Sequence, residues 1–333
     1  MARTALVTGS SGFIGYFTAR ALIDAGWHVV GLDAMTDYYD VTLKERRRAM
    51  LRQSSEFIDV EGRVETPGLL SDLFHDHQFD AVIHLAAQAG VRYSIDAPRS
   101  YVEANLMGTF ELLEAARAVR PAHMLLASTS SAYGANTEMP YREDMRADHQ
   151  MSFYAATKKA TENMAHSYAH LYGLPITMFR FFTVYGPWGR PDMAHFKFTR
   201  AIFNNEPIDI YNHGEMQRDF TYIDDLTGAI VALIDAVPGT TPVNGDSLSP
   251  VAPHRIVNIG NGAPVPLMEF ISAIEKACGR NAIKTFHDMQ PGDVPATWAD
   301  ATLLETLTGK RPATPIQTGI NAFVDWYRDY YQV

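Results

Sequence analysis

A short apolar strand, Thr4-Ala5-Leu6-Val7, runs into Gly9-Ser10-Ser11-Gly12-Phe13-Ile14-Gly15 and then into a helical pattern that ends near Ala25. That succession constrains the fold more than any other feature of the chain. Glycines three residues apart permit a tight strand-to-helix turn. They also gather backbone N–H groups at one point, with a helix N-terminus behind them. Such a corner seats an anion and suits the pyrophosphate of a dinucleotide. A second strand, His28 to Leu32, ends at Asp33, 18 residues past Gly15. A carboxylate there accepts the hydroxyls of an adenosine ribose and repels a 2′-phosphate, so the expected cofactor is NAD rather than NADP.

Strands at Phe57-Ile58, Ala81–Leu85, Met124–Ala127 and Ile176–Arg180 alternate with helical patterns. The clearest of these places Val102, Leu106, Phe110, Leu113 and Ala116 at spacings of three and four. Alternation of this kind predicts an α/β fold with a doubly wound parallel sheet. Beyond Phe181 the elements shorten and prolines and glycines multiply. The expected organisation is therefore a cofactor domain over 1–181, with some later segments packing back on it, and a smaller C-terminal α/β substrate lobe over 182–333. Pro238 to Pro253, with four prolines and two glycines, reads as an exposed loop. Arg46, Arg47 and Arg48 read as a solvated helix face or part of a substrate-side loop. The aromatic residues Trp326, Tyr327, Tyr330 and Tyr331 read as a packing stripe.

The chain has 333 residues, 47% of them hydrophobic and 20% charged, as in a globular protein. A net charge of −10 argues against nucleic acid as a partner, and an anionic substrate would need locally placed arginines. Cys278 is the only cysteine, so an internal disulfide is excluded and the thiol reads as an inert core group. No apolar run has the length of a membrane span and no leader pattern precedes the first strand, so the expected location is cytoplasmic. Twelve histidines without ligand spacing predict no metal site.

Chemistry concentrates downstream. Ser128-Thr129-Ser130-Ser131 is followed by Tyr154-Ala155-Ala156-Thr157-Lys158. On a helix, positions four apart share a face, so phenol and ammonium point the same way. Bringing a tyrosine from about 10 to about 7 takes roughly 4 kcal/mol. One cation about 4 Å away supplies that order of energy at an effective dielectric of ~20. The pair predicts a phenol able to act as a general base at neutral pH.

With these residues in place, the chain resembles the extended short-chain dehydrogenase/reductase superfamily, and within it the nucleotide-sugar 4-epimerases. The stretches closest to UDP-glucuronate 4-epimerases are Tyr38-Tyr39-Asp40 with Leu43, Lys44 and Arg47; 84–94; 180–194; and 218–225. Arg63-Val64 departs from the family's Asp-Ile or Asp-Leu, which bears on the adenine contacts. The resemblance implies a Rossmann-type sheet, bound NAD as hydride carrier, and homodimers formed through the Ala104–Arg117 and Phe153–Leu171 helices. It also implies a cofactor set of Gly9, Gly12, Phe13, Ile14, Gly15, Asp33, Ala86, Ala87, Tyr154 and Lys158.

By the same resemblance Tyr154 takes the proton of the sugar 4-hydroxyl, Thr129 relays it, and Lys158 binds the nicotinamide ribose and lowers the phenol pKa. The 4-ketone of a uronic acid is a β-keto acid, which loses CO2 readily. Related decarboxylases carry a glutamate two residues after the catalytic threonine, and 4,6-dehydratases carry Asp-Glu directly after it. Here Ser130 and Ser131 stand instead. Together with Thr183 and Arg190, whose guanidinium can bind bidentately, they are expected to hold a carboxylate against cleavage. The resemblance makes Arg218 the pyrophosphate-binding arginine and Asp293 the nucleotide-ribose ligand, puts Lys197 and Tyr211 in stretches that line the uridine diphosphate, and adds Arg92 to the substrate-binding residues. A UDP-glucose 4-epimerase, a decarboxylase or dehydratase of this fold, and a regulator without turnover are the rival readings.

Overall fold

The structure, a computed structural model, describes residues 2–290 and 294–333. The first half alternates as expected. It runs β1 (Thr4–Thr8), α1 (Phe13–Asp24), β2 (His28–Asp33), α2 (Val41–Leu51), β3 (Phe57–Glu61), α3 (Leu69–Asp76) and β4 (Ala81–His84). Two short helices, α4 (Tyr93–Asp96) and α5 (Pro98–Tyr101), lead into α6 (Gly108–Val119), β5 (His123–Thr129), α7 (Phe153–Tyr172) and β6 (Ile176–Phe181). The second half holds β7 (Thr183–Tyr185), α8 (Ala194–Asn204), β8 (Pro207–Ile210), β9 (Gln217–Tyr222), α9 (Ile223–Leu233) and β10 (His254–Ile259). It continues with β11 (Pro264–Pro266), α10 (Leu267–Cys278), β12 (Ile283–Phe286), β13 (Ala296–Thr297), α11 (Thr302–Thr308) and α12 (Ile316–Tyr331).

Seven parallel strands form the main sheet in the order β10-β6-β5-β4-β1-β2-β3. The order reverses between β1 and β4, where a doubly wound sheet opens a crevice at the strands' carboxyl ends. Alternate residues of each strand face opposite sides, so one strand serves two cores. Ala5 and Val7 pack with α1, α9 and α11, and Leu6 packs with α3, α6 and α7. The seventh strand comes from residues 254–259, well past Phe181, so the chain returns to the sheet after leaving it. A third core is built from α8, α10 and α12 around Phe270, Phe323 and Tyr185, with Leu43 of α2 joining it. The aromatic stripe is packing: Tyr327 stacks against Phe203 at 5.9 Å, and Cys278 is buried nearby.

Two expectations change. The helical stripe from Val102 to Ala116 is interrupted by a π-helical segment, Val102–Met107. The wide turn brings Asn105 inward, where its side chain bonds the Gln88 backbone and Thr157. Leu113 and Ala116 are buried, whereas Val102 and Phe110 stay exposed. The arginine run is solvated only at Arg46. Arg47 is fully buried and its Nη1 donates to Ser11 O at 2.9 Å, while Arg48 pairs with Asp59 and Glu61. A charged run with no apolar period looks solvated until a carbonyl-lined turn is folded against it. The proline-rich stretch is a largely exposed loop, as expected, and it is anchored at one point. Asp246 and Arg255 form a buried bidentate pair at 2.7 and 2.8 Å that ties it to β10.

Glu143 lies beside the same strand and accepts the Asn258 N–H at 2.8 Å. Burial pushes its carboxyl up to about 7; the backbone bonds and Arg180 oppose the shift, and Asp300 adds to it. A folded value above the unfolded 4.5 means stability that is complete below about 4.5 and lost as pH rises through about 7. Glu143→Gln keeps the acceptor and cannot ionise. It is expected to raise the Tm at pH 8 by roughly 2–4 °C and to leave it unchanged at pH 4, as read by calorimetry.

Candidate active site

The glycine turn is built by steric necessity. Gly9 has a φ of +73°, and its N–H donates to Leu32 O at 2.7 Å. A Cβ at Gly15 would lie 1.9 Å from Gly9 O, one at Gly12 2.9 Å from the same oxygen, and one at Gly9 2.9 Å from Ala86 N. The turn therefore closes only with glycine, and it brings the β1 and β4 ends into contact. Thr8 Oγ1 completes the junction by accepting the Leu85 and Ala86 N–H groups, each at 3.1 Å. The buried Asp33 carboxylate accepts Ser11 N–H at 3.0 Å and Met35 N–H at 2.8 Å, which fixes it against the turn.

These elements line a cleft of about 320 Å³. Gly9, Gly12, Phe13, Ile14, Gly15, Asp33, Ala86 and Ala87 form one end of it, and Thr129, Tyr154, Lys158 and Arg190 form the other. Arg63 and Val64 also line it, with Arg63 paired to Glu65 at 3.0 Å. A glycine cradle that any Cβ would fill, with a carboxylate fixed beyond it, fits a dinucleotide without a 2′-phosphate.

Thr129 ends β5, and its Oγ1 accepts Ser131 N–H at 3.1 Å. Tyr154 is in the first turn of α7, which Ser152 caps by accepting Ala155 N–H at 3.1 Å. Lys158, one turn on, donates from Nζ to Ala127 O at 2.9 Å. The expected electrostatics are only partly realised. Burial lowers the Lys158 ammonium to about 8, and Glu162 opposes that shift. Burial also raises the Tyr154 phenol, and the influences that pull it down are Thr129 and Arg190 rather than Lys158. The ring is reachable from the cleft but walled by protein on its other sides, so desolvation of the phenolate outweighs those aids. The phenol is thereby held in its neutral form.

The residues expected to hold a carboxylate divide between two adjoining spaces. Ser130, Ser131 and Thr183 line a second cavity of about 180 Å³ with Arg218, Tyr141, Ser152 and Thr297. Arg190 faces the first cleft. It is already held by Asp192, with Nε–Oδ1 at 3.0 Å and Nη2–Oδ2 at 2.5 Å. Thr129 and Ser130, and likewise Phe182 and Thr183, are chain neighbours that face different spaces, so the two cavities meet at the ends of β5 and β6. Arg218 donates to the Gln217 and Pro295 carbonyls at 2.9 and 3.1 Å. The Arg92 guanidinium lies 5.2 Å over the Tyr211 ring, which also stacks on His287. Lys197 is exposed on α8, and its charge helps keep the Asp192 carboxyl low. Asp293 lies outside the described residues. Asp192 and Tyr38, whose hydroxyl donates to Asp192 at 3.5 Å, escaped the sequence reading as site residues. Their signal was the Arg190-Pro191-Asp192 order and the Tyr38-Tyr39-Asp40 stretch.

A dinucleotide cradle at the sheet's switch point, opening on a tyrosine–lysine pair and a hydroxyl-lined cavity, defines a dinucleotide-dependent enzyme of hydroxyl-bearing carbons. Comparison with known proteins narrows the class. The NAD dependent epimerase/dehydratase family matches residues 5–260, and the chain belongs to that family. It is 54% identical over 332 residues to a probable UDP-glucuronate 4-epimerase of Rhizobium meliloti, covering 98% of this chain and 97% of the relative. It is 46% identical over 333 residues to UDP-glucuronate 4-epimerase 4 of Arabidopsis thaliana, covering 98% and 76%. Among solved structures, the UDP-glucuronic acid 4-epimerase of Bacillus cereus in complex with UDP-glucuronic acid and NAD superposes with a TM-score of 0.89. That match has 33% identity and covers 98% of this chain and all of the other.

Proposed function

We propose that the chain interconverts UDP-glucuronate and UDP-galacturonate by inverting C4 of the sugar through a transient 4-ketone. The observation that carries this reading is the pair of hydroxyls, Ser130 and Ser131, lining the cavity that adjoins Thr129 and Tyr154. Among the described residues, no acid lines that cavity to promote loss of CO2 from the β-keto acid. The names of the similar epimerases support it.

In this reading residues 1–181, with β10 and other returning segments, hold NAD through Gly9, Gly12, Phe13, Ile14, Gly15, Asp33, Ala86, Ala87 and Lys158. Bound there, NAD supplies a hydride acceptor and donor and, when oxidised, a positive charge that favours the Tyr154 phenolate. Tyr154 then takes the proton of the 4-hydroxyl and later returns it, with Thr129 bonded to the same oxygen. The lobe over 182–333 grips the nucleotide through Lys197, Tyr211, Arg218 and Asp293, with Arg92 beside Tyr211. Ser130, Ser131, Thr183 and Arg190 orient the uronate carboxylate away from the geometry that breaks the C–C bond. Two copies pair through α6, the π-helical segment before it, and α7, where Val102, Met107, Phe110, Phe153 and Leu171 expose apolar side chains. No helix among the described residues is long and apolar enough to cross a membrane, which accords with a cytoplasmic enzyme.

Incubation with UDP-glucuronate is expected to give UDP-galacturonate with no CO2, as resolved by anion-exchange chromatography and NMR. A pentose product with CO2 overturns the reading. A second reading, 4-epimerisation of neutral UDP-glucose, draws on the Arg190–Asp192 pair, which leaves no net charge at that point of the cleft. Equal kcat/KM for the two substrates would establish it.

A further inference from the structure

Behind the catalytic pair, the protein holds an ion pair out of water. The Glu162 carboxylate and Arg180 guanidinium are each 1% exposed and meet through two bonds of 2.8 Å. A buried pair contributes little against a well-packed apolar replacement, so its location is more informative than its stability. Glu162 follows Lys158 by one helical turn on α7. Arg180 on β6 is the register partner of Ser128 on β5. Three consecutive residues of β5 are thereby engaged: Ala127 O accepts the Lys158 ammonium, Ser128 Oγ donates to Glu162 at 2.6 Å, and Thr129 faces the cleft.

We propose that Glu162 is a positioning residue for catalysis, holding Lys158 in its charged form and locking the β5 end that presents Thr129. The proposal rests on the reading of Tyr154 and Lys158 as the catalytic pair. An ammonium in a dry interior needs a counter-charge, and Glu162 opposes the loss of the Lys158 proton across one helical turn. Its own carboxylate is secured in the ionised state. Burial would raise it, but Arg180, Lys159 at 3.2 Å and Ser128 together hold it at about 2. On its far side the Arg180 guanidinium lies 4.4 Å over the Tyr133 ring, whose hydroxyl donates to Asn258 at 2.7 Å. The brace therefore extends to the turn that carries Ser130 and Ser131.

The other titratable groups facing this region do not share the role. His84, on β4, is bonded to Thr8 at 2.8 Å and kept neutral by burial and by Lys158 itself. His254, on β10, is lowered to about 4 by burial and His166. His166, on α7, is bonded to Ser249 at 2.8 Å. Tyr101 faces Tyr154 from α5, where burial raises its hydroxyl.

The test compares Glu162→Gln and Lys159→Met with wild type, measuring kcat/KM against pH in the holoenzyme and NAD affinity against pH in enzyme stripped of cofactor. In E162Q the alkaline limb of both profiles is expected to move to lower pH by about one unit. That is a tenfold loss on the alkaline side, with values approaching wild type on the acid side. In K159M, where a cation that partly neutralises Glu162 is removed from a more exposed position, the same limb is expected to move to higher pH. The gain on the alkaline side is about twofold. A uniform loss in E162Q at every pH, or a limb unmoved or lowered in K159M, overturns the proposal. If E162Q does not fold, K159M decides alone. Lys158→Met run alongside separates the two levels: full activity in K158M refutes the catalytic pair itself, whereas an inactive K158M beside unshifted limbs refutes only the role of Glu162.

Discussion

Tyr154→Phe is expected to lower kcat by about 10³-fold or more while leaving NAD binding and the KM for the nucleotide sugar within about threefold of wild type. In the proposed mechanism the phenol hydroxyl carries the proton of the reacting oxygen, and the ring has separate work. It packs edge-on against Tyr101 at 5.9 Å, a contact that phenylalanine retains. Tyr154 and its hydrogen-bond partner Thr129 both line the cleft, so water can replace the deleted hydroxyl, and the Tm should not fall. Steady-state kinetics, NAD retained after gel filtration, and calorimetry separate the outcomes. Loss of NAD or a lowered Tm would make Tyr154 a structural residue. A kcat within tenfold of wild type would pass the proton to Thr129 or solvent.

The same residue shows where sequence reasoning succeeds and where it stops. Spacing four residues apart on a helix is a local property, and Tyr154 and Lys158 duly line one cleft. Their electrostatics are not local. How far Tyr154 is desolvated depends on walls supplied by α5 and the loop bearing Arg190, and the Lys158 ammonium turns to a carbonyl of β5. The glycine turn was fully legible because its requirement is steric and contained within seven residues. The strand at His254–Ile259 was not, since its only pairing partner among the described residues is β6, more than 70 residues earlier in the chain. Arg47 was misread because charge suggests water unless a carbonyl is known to face it. Asp192 was passed over because a carboxylate two residues from an arginine, across a proline, has no fixed geometry until the loop folds.

Arg190→Ala is expected to reduce kcat/KM for UDP-glucuronate about 100-fold relative to the change seen with UDP-glucose. The comparison between substrates matters because Arg190 has two effects. Its charge also lowers the Tyr154 pKa, so its removal slows proton transfer on any sugar. Dividing the uronate loss by the neutral-sugar loss cancels that shared part and leaves the contact with the carboxylate. A lost bidentate charge contact of about 3 kcal/mol corresponds to the stated ratio. The variant also strands Asp192, whose carboxylate would then face the incoming uronate without its partner. Part of the loss should therefore be repulsion, and the double substitution Arg190→Ala with Asp192→Asn is expected to recover about tenfold on UDP-glucuronate and nothing on UDP-glucose. Equal losses on both sugars in the single variant would mean that Arg190 serves the phenol alone. The uronate carboxylate would then be read by Ser130, Ser131 and Thr183, which line the other cavity.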